Sequence, residues 1–81
     1  MTELKHKIIT CWLDQYHARR WPFIGRVQMA KSLGEDLGNI NKALKELWRE
    51  KKVIFRKGAN DALVIYVGDQ KILNDIKYLI K

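Results

Sequence analysis

GNINKALKELWREKKVIFRKGANDALVIYV, residues 38–67, is the stretch from which the rest of the chain is read. Ile40, Ala43, Leu44, Leu47 and Trp48 recur at i, i+3, i+4, i+7 and i+8, the spacing that lines one side of a helix. This predicts a helix from Gly38 or Asn39 to about Lys51, with Trp48 packed under whatever follows. The opposite side carries Lys42, Lys45 and Arg49, and Asn39 and Asn41 lie on its flanks near the N-terminal end. Lys45 and Arg49 are like charges four residues apart, which repel unless an anion comes between them. Val53-Ile54-Phe55 is then β-branched and aromatic, residues 56–61 carry turn formers, and residues 62–67 are apolar again, the pattern of an antiparallel hairpin.

The charge is concentrated here too. Residues 38–57 hold seven of the sixteen Lys and Arg residues against only Glu46 and Glu50, so this window carries five of the chain's seven net positive charges. With a pI near 9.8, such a cluster suits phosphates or an anionic lipid surface.

Outside this stretch the signals are helical. Leu4, Ile8, Ile9, Trp12, Leu13 and Tyr16 predict a first helix from Thr2 to about Tyr16, with Thr2 as its cap and an apolar arc broad enough for a central position or a partner. Residues 17–23, HARRWPF, read as a connector containing a short strand, because Pro22 pushes Trp21 away from helical geometry. A short second helix is expected over residues 25–33, with Val27, Ala30 and Leu33 on one side and Met29 beyond it, stopped by Gly34. After Gly68, Asp69 is placed to cap a last helix whose apolar face holds Ile72, Leu73, Ile76, Leu79 and Ile80, with Tyr78 pointing away from it.

Eighty-one residues make one domain, 1–81, that buries roughly 60–65% of its unfolded surface. Hydrophobic residues at 47% support a folded core. A lone Cys11 excludes an internal disulfide framework, and no continuous apolar run marks a signal peptide or a membrane span, so a soluble, cytoplasmic protein is expected, nucleoid-associated if prokaryotic.

Two short helices joined by a turn, the second followed at once by a basic hairpin, resemble the winged helix-turn-helix superfamily. In that resemblance IGRVQMAKSLG matches the preceding helix and its glycine turn, GNINKALKEL the recognition helix, KKVIFRK the next strand, and GANDALVIYV the wing tip and return strand. Many relatives carry Gly where this chain has Lys51 or Lys52. The resemblance implies an α+β winged-helix fold: a three-helix core with the helix-turn-helix, a C-terminal β-hairpin wing over residues 53–67 and an additional C-terminal helix.

It also implies double-stranded DNA as partner, with the helix of residues 38–51 in the major groove, whose width suits an α-helix. The N-terminal part of such a helix comes nearest the base edges. Asn39, Asn41 and Lys42 are therefore the candidate readers, since asparagine pairs with adenine and lysine donates to guanine or phosphate. Lys45, Arg49, Arg56 and Lys57 are candidate anchors, the last two where the wing of residues 53–67 reaches the backbone or the minor groove, and Gly38 would let the backbone approach and leave helix N–H groups for a phosphate. The expected function is a small transcription regulator acting as a homodimer through its first and last helices, because two half-sites multiply the affinity of a small module. The bland readings are a solvated basic face, a helix cap at Asn39 and a surface amide at Asn41; Arg19 and Arg20 are either phosphate contacts or solvated. A second function class is a winged-helix adaptor that docks a protein without DNA. A third, single-stranded or structured RNA, requires aromatic rings on an exposed face, and most of the rings are expected to be buried.

Catalysis is not expected. Cys11, Asp14 and His17 are near in sequence, but helical spacing spreads them around the axis, and no further Cys or His completes a metal site; His6 is read as exposed. There is no phosphate-binding glycine loop, no paired carboxylates in an apolar setting and no nucleophile with a base at a recognisable spacing. No cofactor, metal or small-molecule substrate is evident.

Overall fold

In the computed structural model, which describes residues 2–80 (Thr2 by its backbone alone), the order of elements is α1 (Thr2–Arg19), β1 (Ile24–Gly25), α2 (Arg26–Leu33), α3 (Leu37–Arg49), β2 (Val53–Lys57), β3 (Ala62–Tyr66) and α4 (Gln70–Ile76). The expected Thr2 cap lies outside the described side chains. The three strands form one antiparallel sheet in the order β1-β3-β2, with Ile24 opposite Val64 and Phe55 also opposite Val64. The protein is thus a small α+β domain of four helices and a three-stranded antiparallel sheet.

Side chains alternate across a strand, so Val53, Phe55 and Lys57 share one face of the sheet with Val64 and Ile24, while Ile54, Arg56 and Ile65 share the other. The first face meets α1 and α3: Trp12 of α1 donates its ring N–H to the carbonyls of Val64 (3.0 Å) and Pro22 (3.1 Å) and lies 5.8 Å from the Tyr66 ring. Arg56, on the second face, donates to the Leu79 carbonyl (2.7 Å) just beyond α4, whose Ile72 and Ile76 are buried. Ile8, Trp12, Met29, Ile40, Leu44, Leu47, Val64, Ile65 and Ile76 form the buried centre. No buried side-chain nitrogen or oxygen among the described residues lacks a hydrogen-bond partner.

Three helices end on a left-handed residue, which frees backbone N–H groups to close on the last carbonyls. Gly34 (φ 64°) ends α2, with Glu35 N–H on the Ala30 carbonyl. Lys51 (φ 62°) ends α3 in the same way: its own N–H reaches the Trp48 carbonyl, and Lys52 N–H the Leu47 carbonyl at 2.9 Å. Arg20 (φ 53°) ends α1 with its N–H on the Tyr16 carbonyl. Lysine thus takes the position where glycine is favoured, at the residue the sequence marked as unusual.

Several expectations are corrected. Helix α1 runs on to Arg19, and the short strand follows the connector instead of lying within it, because β3 offers Ile24 and Gly25 a partner that no local pattern reveals. In α2, Met29 is fully buried and Val27 is 41% exposed, the reverse of the expected arrangement. The inward stripe is Arg26, Met29, Ala30 and Leu33, at i, i+3, i+4 and i+7, and its first member is charged, which disguised it. Helix α3 spans Leu37–Arg49 instead of 38–51, capped by Asp36, whose carboxylate accepts from Gly38 N–H at 3.0 Å. Trp48 does not pack under the hairpin and is 54% exposed. At about 100° per residue it sits roughly 90° from the centre of the buried stripe of Ile40, Ala43, Leu44 and Leu47, on the helix flank. The last helix ends at Ile76; Leu79 and Ile80 follow in turns.

Candidate nucleic-acid interface

Helix α3 separates its charges by side. Lys5, from the first turns of α1, lies 2.5 Å from Glu50 and 3.7 Å from Glu46, drawing both carboxylates to the α1 flank. The hydrogen bond from Lys5 holds the Glu50 carboxyl below its ordinary value, and the same bond raises the Lys5 ammonium. With the acidic groups engaged there, the outer face of α3 has only cations. Lys42, Lys45 and Arg49 are exposed and form no ion pair among the described residues, and the same is true of Lys57 at the end of β2.

The second feature is a polar bolt between the hairpin and α2. Helix α2 begins at Gly25, which has no side chain to cap the free N–H groups. Asp61, thirty-four residues away on the hairpin turn, supplies the cap by accepting from Val27 N–H at 2.9 Å. The same carboxylate accepts from Arg26 Nε and lies 2.8 Å from its second terminal nitrogen, and it also accepts from Ala62 N–H. Burial alone would raise the Asp61 carboxyl, but the hydrogen bonds from Val27, Arg26 and Ala62 outweigh it and leave the group below its ordinary value. Gly58 closes the turn with its N–H on the Asp61 carbonyl, and a Cβ there would come within 2.5 Å of that same oxygen. The hairpin is therefore anchored, not a free arm.

Arg26 extends the network to α3, donating from its remaining terminal nitrogen to Asn41 Oδ1 at 2.8 Å. Asn41 thus keeps its amide N–H groups as uncommitted donors, while the oxygen that a paired contact to adenine needs is shared with Arg26. Between α3 and β2 an open cleft of 440 Å³ is lined by Arg26, Asn41, Leu44, Lys45, Trp48, Phe55 and Ala62.

The candidate residues fall into distinct places. Asn41 and Lys45 meet at the cleft, with Lys42 and Arg49 on the outermost line of α3. Asn39 falls instead on the Glu46 and Glu50 flank, by the helical rotation of about 100° per residue. Gly38 has its N–H occupied by Asp36, so it offers no free amide to a phosphate, and the Asp36 carboxylate holds that helix end. Lys57 shares the sheet face of Phe55, toward α3. Arg56 points to the other face, with its guanidinium over the Phe23 ring (5.2 Å) and bonded to the Leu79 carbonyl. Arg19 and Arg20 are exposed at the far end of α1, about 20 Å along the helix from Lys5 at 1.5 Å per residue.

Arg26, Asp61, Trp48 and Phe55 belong to this surface and were not singled out as functional from the sequence. Asp61 reads locally as a turn residue, and Phe55 as one side of a strand. The expectation that most rings are buried is also corrected: Trp21, Trp48, Phe55 and Tyr78 are exposed. Cys11 is buried, which pushes its thiol up, while Asp14 and His17 are exposed. No group of three His, Cys, Asp or Glu among the described residues is placed to hold a metal ion, and no described helix is long and apolar enough to cross a membrane. Compared with protein-family models and with curated proteins, the chain finds no match.

Proposed function

We propose that this chain is a winged helix-turn-helix domain that binds double-stranded DNA as a transcription regulator, with α3 in the major groove and the β2–β3 hairpin as the wing along the backbone. The observation that carries the reading is the one-sided charge of α3. Its two carboxylates are tied to Lys5 on the inner flank, while Lys42, Lys45 and Arg49 stand outward without counter-ions among the described residues. Leaving Lys45 and Arg49 as unpaired neighbours at i and i+4 costs a few tenths of a kcal/mol in the free protein, which phosphate contact reverses. In this reading Lys42, Lys45, Arg49 and Lys57 hold phosphates, Asn41 donates to a base edge through its amide, and Arg26 and Asp61 fix the angle between helix and wing. Arg56 acts within the fold and Asn39 stands aside.

Duplex binding over a salt series tests it. Four phosphate contacts predict a slope of log K against log salt of about −3.6, at about −0.9 per contact. Absence of duplex binding at low ionic strength would favour the adaptor reading, in which the same basic face docks an acidic protein. The proposal includes a homodimer through α1 and the α4 end, where Ile9 and Leu13 are only partly covered and Tyr78 is 72% exposed. Light scattering that returns a monomer at high concentration removes that part.

A further inference from the structure

The cleft between α3 and β2 has walls that phosphate binding does not use. Trp48 and Phe55, 54% and 40% exposed, both line it. Trp12, Tyr16, Tyr66, Trp21 and Phe23 each have an aromatic partner; neither Trp48 nor Phe55 has one among the described residues. Two large rings with uncovered faces, in a chain that buries Ile8, Ile40 and Leu44 almost completely, are expensive to leave in water. The polar groups around them that have no partner among the described residues are donors: the Asn41 amide and the Lys45 ammonium. Among the described residues no carboxylate lines the cleft, and the two that adjoin its lining in sequence, Glu46 and Asp61, are engaged by Lys5 and Arg26. Flat apolar walls, in-plane donors and flanking cations together fit a planar group that has ring-edge acceptors and an attached phosphate. An aliphatic side chain of a protein partner would use the walls but leave the donors unmatched.

We propose that this cleft stacks an unpaired nucleobase on Trp48 and Phe55, so that the protein prefers duplex DNA carrying a single-stranded stretch over the fully paired duplex. The inference rests on the DNA-binding reading. Lys42, Arg49 and Lys57 hold the duplex, and a strand leaving it beside the C-terminal half of α3 lays one base into the cleft, its carbonyl facing the Asn41 amide and its phosphate near Lys45.

The test compares three probes with the full chain: a blunt duplex, the same duplex with a short oligo-thymidine tail at either end, and the same duplex with an abasic tail of equal length. The abasic tail has the same phosphates and no bases, so it separates stacking from charge. The thymidine tail is expected to bind about tenfold tighter than the abasic tail, the scale of stacking one base on an aromatic ring. Trp48→Ala should abolish that difference while changing blunt-duplex affinity by no more than about twofold; Trp48→Phe should keep part of it. In a Trp21→Phe background, where Trp48 is the one strongly exposed tryptophan, the thymidine tail should quench the emission and the abasic tail should not. Equal affinity for the two tails, or a preference that survives Trp48→Ala, overturns the inference while leaving duplex binding in place. Loss of all DNA binding at low salt overturns both readings, and quenching by a leucine-containing poly-glutamate peptide but not by the thymidine tail assigns the cleft to an acidic protein partner instead.

Discussion

Asp61→Ala is the most informative single change, because one carboxylate joins the hairpin turn to the start of α2. Its loss removes the side-chain cap of that helix, the bond from Val27 N–H, worth about 1 kcal/mol. It also leaves Arg26, whose side chain is 31% exposed, without the carboxylate that it meets at 2.8 Å. A hydrogen bond to a charged partner contributes about 1.5–3 kcal/mol, and the partly covered guanidinium regains some hydration, so the lower half of that range applies. The total is roughly 2–4 kcal/mol, a large part of the about 4–12 kcal/mol expected for a domain of this size. By about 4–8 °C per kcal/mol, thermal unfolding should move down by roughly 8–32 °C. Asp61→Asn, which retains one oxygen for Val27 N–H but no charge for Arg26, should lose about half as much. The acid response supplies a second reading. The folded Asp61 carboxyl lies below its ordinary value of 3.8, so its contribution is fully present above that pH and fades as pH falls through the lower folded value. Urea melts of wild type and Asp61→Asn should therefore differ at neutral pH and converge at acid pH. A loss below about 0.5 kcal/mol for Asp61→Ala, or a difference that grows on acidification, would refute the idea that this carboxylate bolts the hairpin to α2.

Other consequences are tested separately. Lys51→Gly relieves a left-handed residue at the end of α3 and should stabilise the protein by about 0.5–1 kcal/mol in a denaturant melt; destabilisation would mean that the Lys51 side chain has a role its exposure does not reveal. Trp12→Phe strips the donor from the buried Pro22 and Val64 carbonyls and should cost about 2–3 kcal/mol, read from the urea midpoint; a silent change would show that those carbonyls find water. Lys45→Ala and Arg49→Ala should each weaken specific and random duplexes alike and reduce the salt slope by about 1, whereas Asn41→Ala should alter sequence preference. Equal effects of all three on both kinds of duplex would exclude base readout by Asn41.

Much of the architecture is legible locally. Helix α3 announces itself through Ile40, Ala43, Leu44 and Leu47, all of which are buried, and Gly34 and Asp69 mark a helix stop and a helix cap where the structure has them. The hairpin follows from β-branched runs around a turn. What local pattern misreads are residues whose place is fixed by something distant in sequence. Met29 went unrecognised as core because the stripe it belongs to begins with Arg26, and Arg26 is tolerated there only because Asp61 meets it. Trp48 looks like a core residue by type and near-periodicity, yet the rotation of the helix puts it at the edge of the cleft.

The candidate surface divides along the same line. That α3 is basic on one side can be counted from the sequence, because helical periodicity is a property of neighbours three and four residues apart. The direction in which each charge is free or engaged depends on contacts across the fold. Lys5 draws Glu46 and Glu50 to the inner flank, and Leu79 and Phe23 hold Arg56 on the far face of the sheet. Sequence alone determined that four helices and a hairpin form and where the charge lies along them. Tertiary structure alone decided which of those charges lack partners and which rings stay uncovered, because hydrogen bonds and burial are settled by residues brought together from ten to more than forty positions apart.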